Sequence, residues 1–325
     1  MTFNTVLVGL GKIGYSYDAD IDNNNVVLTH LKAIRELASF SLVAIVESDP
    51  KKYQDVDEEF RSLVHADLNE LKVSEQIDLV VVATPSETHL EVVKTALKLR
   101  PRVILLEKPV SNSLRDALEI SELTLESGVQ IFMNYQRNYH YELRNLALDI
   151  SQGKVEGPFV FTGWFNNGWI NNCSHLLALY LGLFTNGFED LKITSNSDDL
   201  LAWKTFNCSA QFINLKDFDG AFFSFELTGK NKTYRYDSHF DTLKISELTQ
   251  GKLFPNEKTL ASLGESIEMN EGNLLPQVYV QLENYLNGND FFSFSLENGV
   301  KIVKLLLSLS QKRDIDGGNL GVQEA

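Results

Sequence analysis

The chain has 325 residues, 43% hydrophobic and 22% charged, with 7 Pro and 20 Gly, a composition that suits a two-domain globular protein and excludes collagen-like, coiled-coil and disordered classes. A formal charge of −15 argues against a broad nucleic-acid or anionic-membrane surface while leaving room for a local basic pocket. Two cysteines, Cys173 and Cys208, imply no disulfide framework or zinc cluster. No apolar run reaches membrane-spanning length, MTFNTVLVGLG lacks a signal-peptide pattern, and the expectation is a cytoplasmic protein with reduced thiols.

Through residue 132, short apolar runs alternate with helix-like segments. TVLVG (5–9), SLVAIV (41–46), DLVVVAT (78–84) and RVILLE (102–107) are unbroken and rich in Val, Ile and Leu, as in strands covered by helices on both faces. LTHLKAIRELA (28–38), HLEVVKTALKL (89–99) and SLRDALEISELTLESG (113–128) read as helices, the last with Ser113 as N-cap and Gly128 as stop. This alternation predicts an α/β fold in which residues 1–132 form a Rossmann domain, a doubly wound parallel sheet. From 133 to 325 the texture changes. GPFVFTGWF (157–165), LAWKTFNC (201–208), SAQFINL (209–215), AFFSFELTG (221–229), KTYRYDSHF (232–240) and DTLKISEL (241–248) follow one another and are rich in aromatics and Thr. They predict a C-terminal α+β domain on a mostly antiparallel sheet. Helices near 276–287 and 296–312 close it, and the tail from Asp314 reads as loose.

GLGKIG places Gly9, Gly11 and Gly14 in a GxGxxG at the end of the first strand. In a dinucleotide-binding turn the first glycine permits the turn, the second lets backbone approach a pyrophosphate, and the third allows close helix–strand packing. Lys12 and Ile13 lie between them and count among the expected cofactor-binding residues. An acid closing the second strand would hold the ribose diol. Glu47 stands there in AIVESDP, with Asp49 the lesser candidate. A carboxylate repels a 2′-phosphate, so NAD(H) is expected over NADP(H), with Lys51 and Lys52 keeping the latter open. Glu47 lies well beyond the usual spacing of about 20 residues. The excess is YSYDADIDNNNVV (15–27), either a tolerated surface insertion or a loop bordering a substrate. It leaves open whether the first helix starts at the glycines. EKP (107–109), alone, is either a solvated turn or a lysine facing a cofactor.

Together with ATPSETH (83–89), the glycine loop and EKP stand in an order that resembles the Gfo/Idh/MocA family of NAD(P)-dependent oxidoreductases. The resemblance is specific over the first 140 residues and thinner beyond. It implies a Rossmann domain, then a domain with a large open sheet through which many members form homo-oligomers, and a small carbohydrate-like substrate. It places Thr84, Pro85 and His89 beside the dinucleotide, Glu107 and Gln136 on the cofactor side, and Lys108 near both nicotinamide and substrate. A buried lysine near a positive nicotinamide has its ammonium disfavoured and exchanges protons nearer neutrality. Arg137 and Tyr139, in NYQRNYH, would be pocket-side or structural.

Where the family carries an Asp-x-Gly-x-His pattern at a helix start, this chain reads NNCSHLLALYLG (171–182). His175 keeps the histidine; Asn171, Cys173 and Ala178 replace an aspartate, the glycine and a further aspartate. An amide cannot act as a base but can orient a hydroxyl, so the base is Lys108 or His175, or the pair sharing a proton. Asn172, Trp164, Asn166, Asn167 and Trp169 hint at a carbohydrate-like ligand, although strand aromatics commonly serve the core. The histidines are too scattered for a metal site, and no nucleophile elbow is present. The expected chemistry is hydride transfer between NAD(H) and a carbinol or keto carbon of a sugar, polyol or nucleotide-sugar, with Lys108, His175 and Asn171 as catalytic groups. The rivals are a catalytically impaired dinucleotide-binding regulator or scaffold, and a structural assembly module.

Overall fold

The structure, a computed structural model, describes residues 2–19, 21, 26–71, 76–184, 187–220, 222–251, 256–260 and 264–315. Parts of the 15–27 insertion, of the run from Ala221 and of the tail from Asp314 lie outside these residues. The chain divides into two compact units, Met1–Tyr139 with Gly272–Val303, and His140–Glu271 with Lys304–Ala325.

The first unit is built on six parallel strands: β1 (Phe3–Val8), β2 (Phe40–Val46), β3 (Val64–His65), β4 (Leu79–Val82), β5 (Val103–Leu106) and β6 (Gln130–Met133), in the order β3-β2-β1-β4-β5-β6. Every residue of β4 and β5 is fully buried, which is why these runs carry no polar alternation. The helices are α1 (His30–Glu36), the single turn α2 (Glu58–Arg61), α3 (His89–Lys98) and α4 (Leu114–Ser127). As the sequence predicts, the Ser113 side chain caps α4 and Gly128 ends it in the left-handed region at φ 69°.

No regular α-helix begins at the glycines. Lys12–Ser16 forms one wide turn, closed by Ser16 N–H to Gly11 O at 3.3 Å and Tyr17 N–H to Lys12 O at 3.0 Å. Asp18 holds the residues that precede α1: its carboxylate accepts from Leu28 N, Thr29 N and Thr29 Oγ1 at 2.6–3.1 Å. Thr29 in turn caps α1.

The second unit holds α5 (Tyr141–Ser151), α6 (Ser174–Leu183) and strands β7 (Phe159–Phe165), β8 (Lys192–Asn196), β9 (Leu200–Lys204), β10 (Cys208–Asn214), β11 (Phe223–Thr228), β12 (Lys232–Asp237), β13 (Thr242–Gln250), β14 (Lys258–Leu260) and β15 (Glu265–Glu268). The sheet runs β14-β13-β12-β11-β7-β10-β9-β8, with β15 on β13. Among the described residues of this sheet, only the β7–β10 pair is parallel. Phe161, Phe212 and Phe225 on one sheet face meet Tyr180 and Trp203 in an aromatic core. Gly163 lets α6 come so close that a Cβ there would stand 2.8 Å from Leu176.

Helix α5 was not among the predicted elements; it buries Leu143 and Leu146 and is capped by His140, whose Nδ1 accepts from Glu142 N. The division also differs from the predicted one. Residue 132 falls inside β6, and the chain enters the second unit only after Tyr139. Helix α7 (Leu274–Asn287) and the start of α8 (Leu296–Ile315) belong to the first unit. There Tyr279 packs edge-on to Phe40 at 5.2 Å, Tyr285 packs on Phe132 at 5.6 Å, and Phe294 O accepts from Met133 N. Among the described residues no helix is long and apolar enough to cross a membrane, and no cluster could hold a metal ion. Cys173 and Cys208 are buried and not disulfide-linked.

Candidate active site

Because the strands of the first sheet are parallel, the loops that follow them share one edge. Gly9, Glu47, Thr84, Glu107 and Asn134 all stand there, hooked to neighbouring strand ends. Gly9 N donates to Val46 O at 2.8 Å, Ala83 N to Val8 O at 2.8 Å, Glu107 N to Val82 O at 3.0 Å and Asn134 N to Leu106 O at 2.8 Å. The glycine turn and Lys108 are therefore at the same rim, with only β4 between β1 and β5.

Gly9 has φ 102°, and a Cβ there would stand 2.6 Å from Ala83 O; a Cβ on Gly14 would run into the Gly9 carbonyl. Lys12 is exposed and Ile13 half-buried. Glu47 is buried. Its Oε2 accepts from Leu10 N at 2.8 Å and faces Lys52 Nζ at 3.3 Å, while Oε1 accepts from Asp49 N at 2.9 Å. The carboxylate thus braces the glycine turn.

Thr84 and Pro85 are partly or fully exposed after β4. His89 is not. It has 0% exposure, and its ring nitrogens lie 2.9 Å from Thr84 O and 3.1 Å from Val110 O. Burial lowers its proton affinity, against the pull of those two carbonyls. Its position corrects the expectation of a direct cofactor contact, since a ring sealed between two loops ties them together and presents no surface.

Lys108 is mostly withdrawn from solvent. Burial is the largest influence on it and pushes its ammonium below the usual lysine range; Glu107 opposes this and Arg137 adds to it. Glu107 is buried, and burial alone would raise it. His30 first, then Asn134 and Lys108, outweigh that and hold the carboxyl below its usual range. Its Oε1 lies 3.0 Å from His30 Nε2 and accepts from Asn134 Nδ2, and its Oε2 accepts from Lys108 N at 3.2 Å.

Gln136 and Arg137 are half-buried on the turn after β6. Tyr139 is 1% exposed; its hydroxyl donates to Met133 O at 3.0 Å and accepts from Phe294 N at 3.1 Å. These two bonds give the Tyr139 hydroxyl a structural role, tying Met133 to Phe294.

In the second unit, Asn171 is exposed and Asn172 half-buried, both on the wide turn Trp169–Cys173. His175 is half-buried on the first turn of α6, edge-on to the Phe223 ring at 6.3 Å. Trp164 does not join them. It follows Gly163 on β7, and strand alternation turns it to the face opposite the one Gly163 offers to α6. Asn166 is buried as a turn brace, accepting from Phe222 N at 2.8 Å, and the Trp169 indole N–H donates to Asp198 O at 3.1 Å.

A sequence model of an oxidoreductase family with an NAD-binding Rossmann fold matches residues 3–135. The model is that of the Gfo/Idh/MocA family. The inositol 2-dehydrogenase of Rubrobacter xylanophilus is 29% identical over 127 residues, covering 39% of this chain and 36% of that protein; the chain spans about a third of the curated relatives it matches. The fold recurs over nearly the whole chain. Levoglucosan dehydrogenase in complex with NADH has a TM-score of 0.71 at 12% identity, covering 97% of this chain and 98% of that one. A super-repressor mutant of Gal80p from Saccharomyces cerevisiae has a TM-score of 0.72 at 14% identity, covering 97% of each chain. At such identities the likeness is one of fold, which carries no activity by itself.

Within the matched residues, two contacts of the EKP glutamate carry no signal in the sequence. His30 and Asn134 lie 77 and 27 residues from Glu107, and His30 reads only as one position of a helical run. No local pattern marks either of them.

Proposed function

We propose that this chain is an NAD(H)-dependent oxidoreductase transferring hydride between the nicotinamide and a carbinol or keto carbon of a sugar, polyol or nucleotide-sugar. The observation that carries the reading is Lys108. It stands at the rim that bears the glycine turn, in surroundings that lower its proton affinity, as a general base near neutrality requires. As the amine it takes the hydroxyl proton of the carbinol; as the ammonium it returns that proton in the reverse direction. For the second unit the argument is the family resemblance: His175 assists and Asn171 orients a substrate hydroxyl, with Asn172 and Arg137 contributing polar contacts.

The glycine turn fits the cofactor. Gly11 has an ordinary φ of −75°, and a Cβ there would meet nothing nearer than Ala83 O at 4.0 Å. Packing does not demand a glycine at this position, and the open space suits the close approach of a pyrophosphate. Gly9, Lys12, Ile13 and Gly14 would complete that turn, with Thr84, Pro85 and Gln136 alongside. When bound, NAD(H) supplies the hydride chemistry. Glu47 at the end of β2 favours NAD(H), since a 2′-phosphate would meet a buried carboxylate. Assembly of copies through the second sheet belongs to the same reading, and light scattering in solution tests it.

Absorbance of the reduced cofactor, followed across sugars, polyols and nucleotide-sugars, tests the activity. Loss of a positioned acid–base group costs about 10²–10⁴-fold, so Lys108→Ala should lower turnover by that much. Undiminished turnover in the variant would remove the lysine from the chemistry.

A further inference from the structure

His30 is fully buried, yet its ring joins three separate parts of the first unit. Nε2 lies 3.0 Å from Glu107 Oε1 at the end of β5, and Nδ1 lies 3.0 Å from the Tyr279 hydroxyl on α7. Glu107 is ionised, so its Oε1 accepts from Nε2–H, and Nδ1 stands within hydrogen-bond distance of the Tyr279 hydroxyl. The chain of bonds ends one residue from Lys108. We propose that His30 is a positioning residue for Lys108: it fixes the Glu107 carboxylate in place and in its charged form, and so sets how readily the neighbouring ammonium releases its proton. This inference rests on the role proposed for Lys108.

Four titratable groups among the described residues are coupled to His30, Glu107 or Lys108 by hydrogen bonds or charge. They are Lys108 beside Glu107, Arg137 after β6, His89 opening α3, and Tyr279 on α7. Glu107 is the one negative charge among them, and it works against the burial and the Arg137 charge that depress Lys108. Without the His30 donor, Glu107 loses its largest compensation for burial and its charge is no longer held. Lys108 then gives up its proton at lower pH.

Two variants of similar size divide the ring's functions. His30→Gln keeps a donor where Nε2 was, and His30→Asn keeps only the Nδ1 side, toward Tyr279. The measurement is the rate at which acetic anhydride labels Lys108, followed by peptide mass spectrometry over a pH series; it needs neither substrate nor turnover. A lost neighbouring charge moves a pKa by about one unit or more. His30→Asn should therefore label about tenfold faster at neutral pH, with the low-pH limb of kcat moving the same way, and His30→Gln should stay within about twofold of the parent. Equal rates in the parent and His30→Asn, or equal acceleration in both variants, overturn the proposal. If His30→Asn does not fold, Glu107→Gln should give the same acceleration, and adding His30→Gln to it should change nothing further. A further change there overturns the coupling. Labelling as expected in a protein that turns over no substrate keeps the coupling and removes the oxidoreductase reading, so the two fail separately.

Discussion

Replacing Gly9 and Gly11 with alanine should separate the packing role of the glycine turn from its ligand role. At Gly9 the added Cβ would stand 2.6 Å from Ala83 O and 2.8 Å from Ala83 C, both backbone atoms at the end of β4, in a residue with φ 102°. Relieving that contact needs a shift of roughly half an ångström in a fully buried region, an overpacking cost of about 1–3 kcal/mol, with about 1 kcal/mol more for the left-handed backbone. Gly9→Ala should then lose roughly 3 kcal/mol, or about 6–12 °C in Tm for a unit of this size. Gly11→Ala meets only Ala83 O at 4.0 Å, with φ −75°, so its Tm should hold or rise by about the 0.4–1 kcal/mol of a compatible Gly→Ala change. Its effect should fall on the cofactor. A methyl group in the space proposed for the pyrophosphate costs about 1–3 kcal/mol, which is roughly 5–150-fold in Kd. Differential scanning calorimetry and titration calorimetry with NADH give both numbers on each variant. Gly11→Ala binding NADH as tightly as the parent, with an unchanged melt, would refute the placement of the dinucleotide over this turn.

Three further outcomes follow from the same geometry. Glu47→Ala leaves Leu10 N and Asp49 N without their carboxylate acceptor; it should cost about 1–3 kcal/mol in stability and narrow the ratio of NADPH to NADH dissociation constants, and an unchanged ratio would show that Glu47 does not select the cofactor. Tyr139→Phe strips Met133 O and Phe294 N of their shared hydroxyl, so it should lose about 1–3 kcal/mol with kcat within about twofold, and a specific loss of kcat without loss of Tm would return Tyr139 to the substrate side. His89 and His140 are both held below the ordinary 6.5 chiefly by burial. The unfolded chain therefore binds more protons than the folded one below that value, and stability should fall as pH drops through this range; Glu107 extends the fall below its ordinary 4.5. A Tm that is flat or rising between about pH 7 and pH 5 would contradict the signs.

The parallel sheet was legible because its strands are buried on both faces, so that composition alone marks them; β4 and β5 contain no polar residue. The short strands β3 and β6 give too few residues for such a signal. The glycine turn and EKP were legible because the chemistry of each lies within a few consecutive residues. Trp164 was misplaced because its residue type was weighed and its strand parity was not. His30, Asn134 and Tyr279 were invisible for a different reason. His30 and Asn134 reach the EKP glutamate from α1 and the end of β6, and Tyr279 on α7 reaches it only through His30; such pairings exist only once the sheet has formed. The same holds for the return of residues 272–303, since reading along the chain assigns contiguous stretches to contiguous domains.

That return has a consequence for synthesis. The first unit lacks α7 until Leu274–Asn287 has been translated, more than a hundred residues after β6 is complete. At about 5–20 residues per second this is a wait on the order of ten seconds. During it the rings of Phe40 and Phe132, which Tyr279 and Tyr285 later cover, stand open on the nascent chain. A ribosome-bound fragment ending near Tyr139 should therefore recruit chaperones and resist secretion as an independent domain, whereas the same stretch joined by a short linker to residues 272–303 should fold without them.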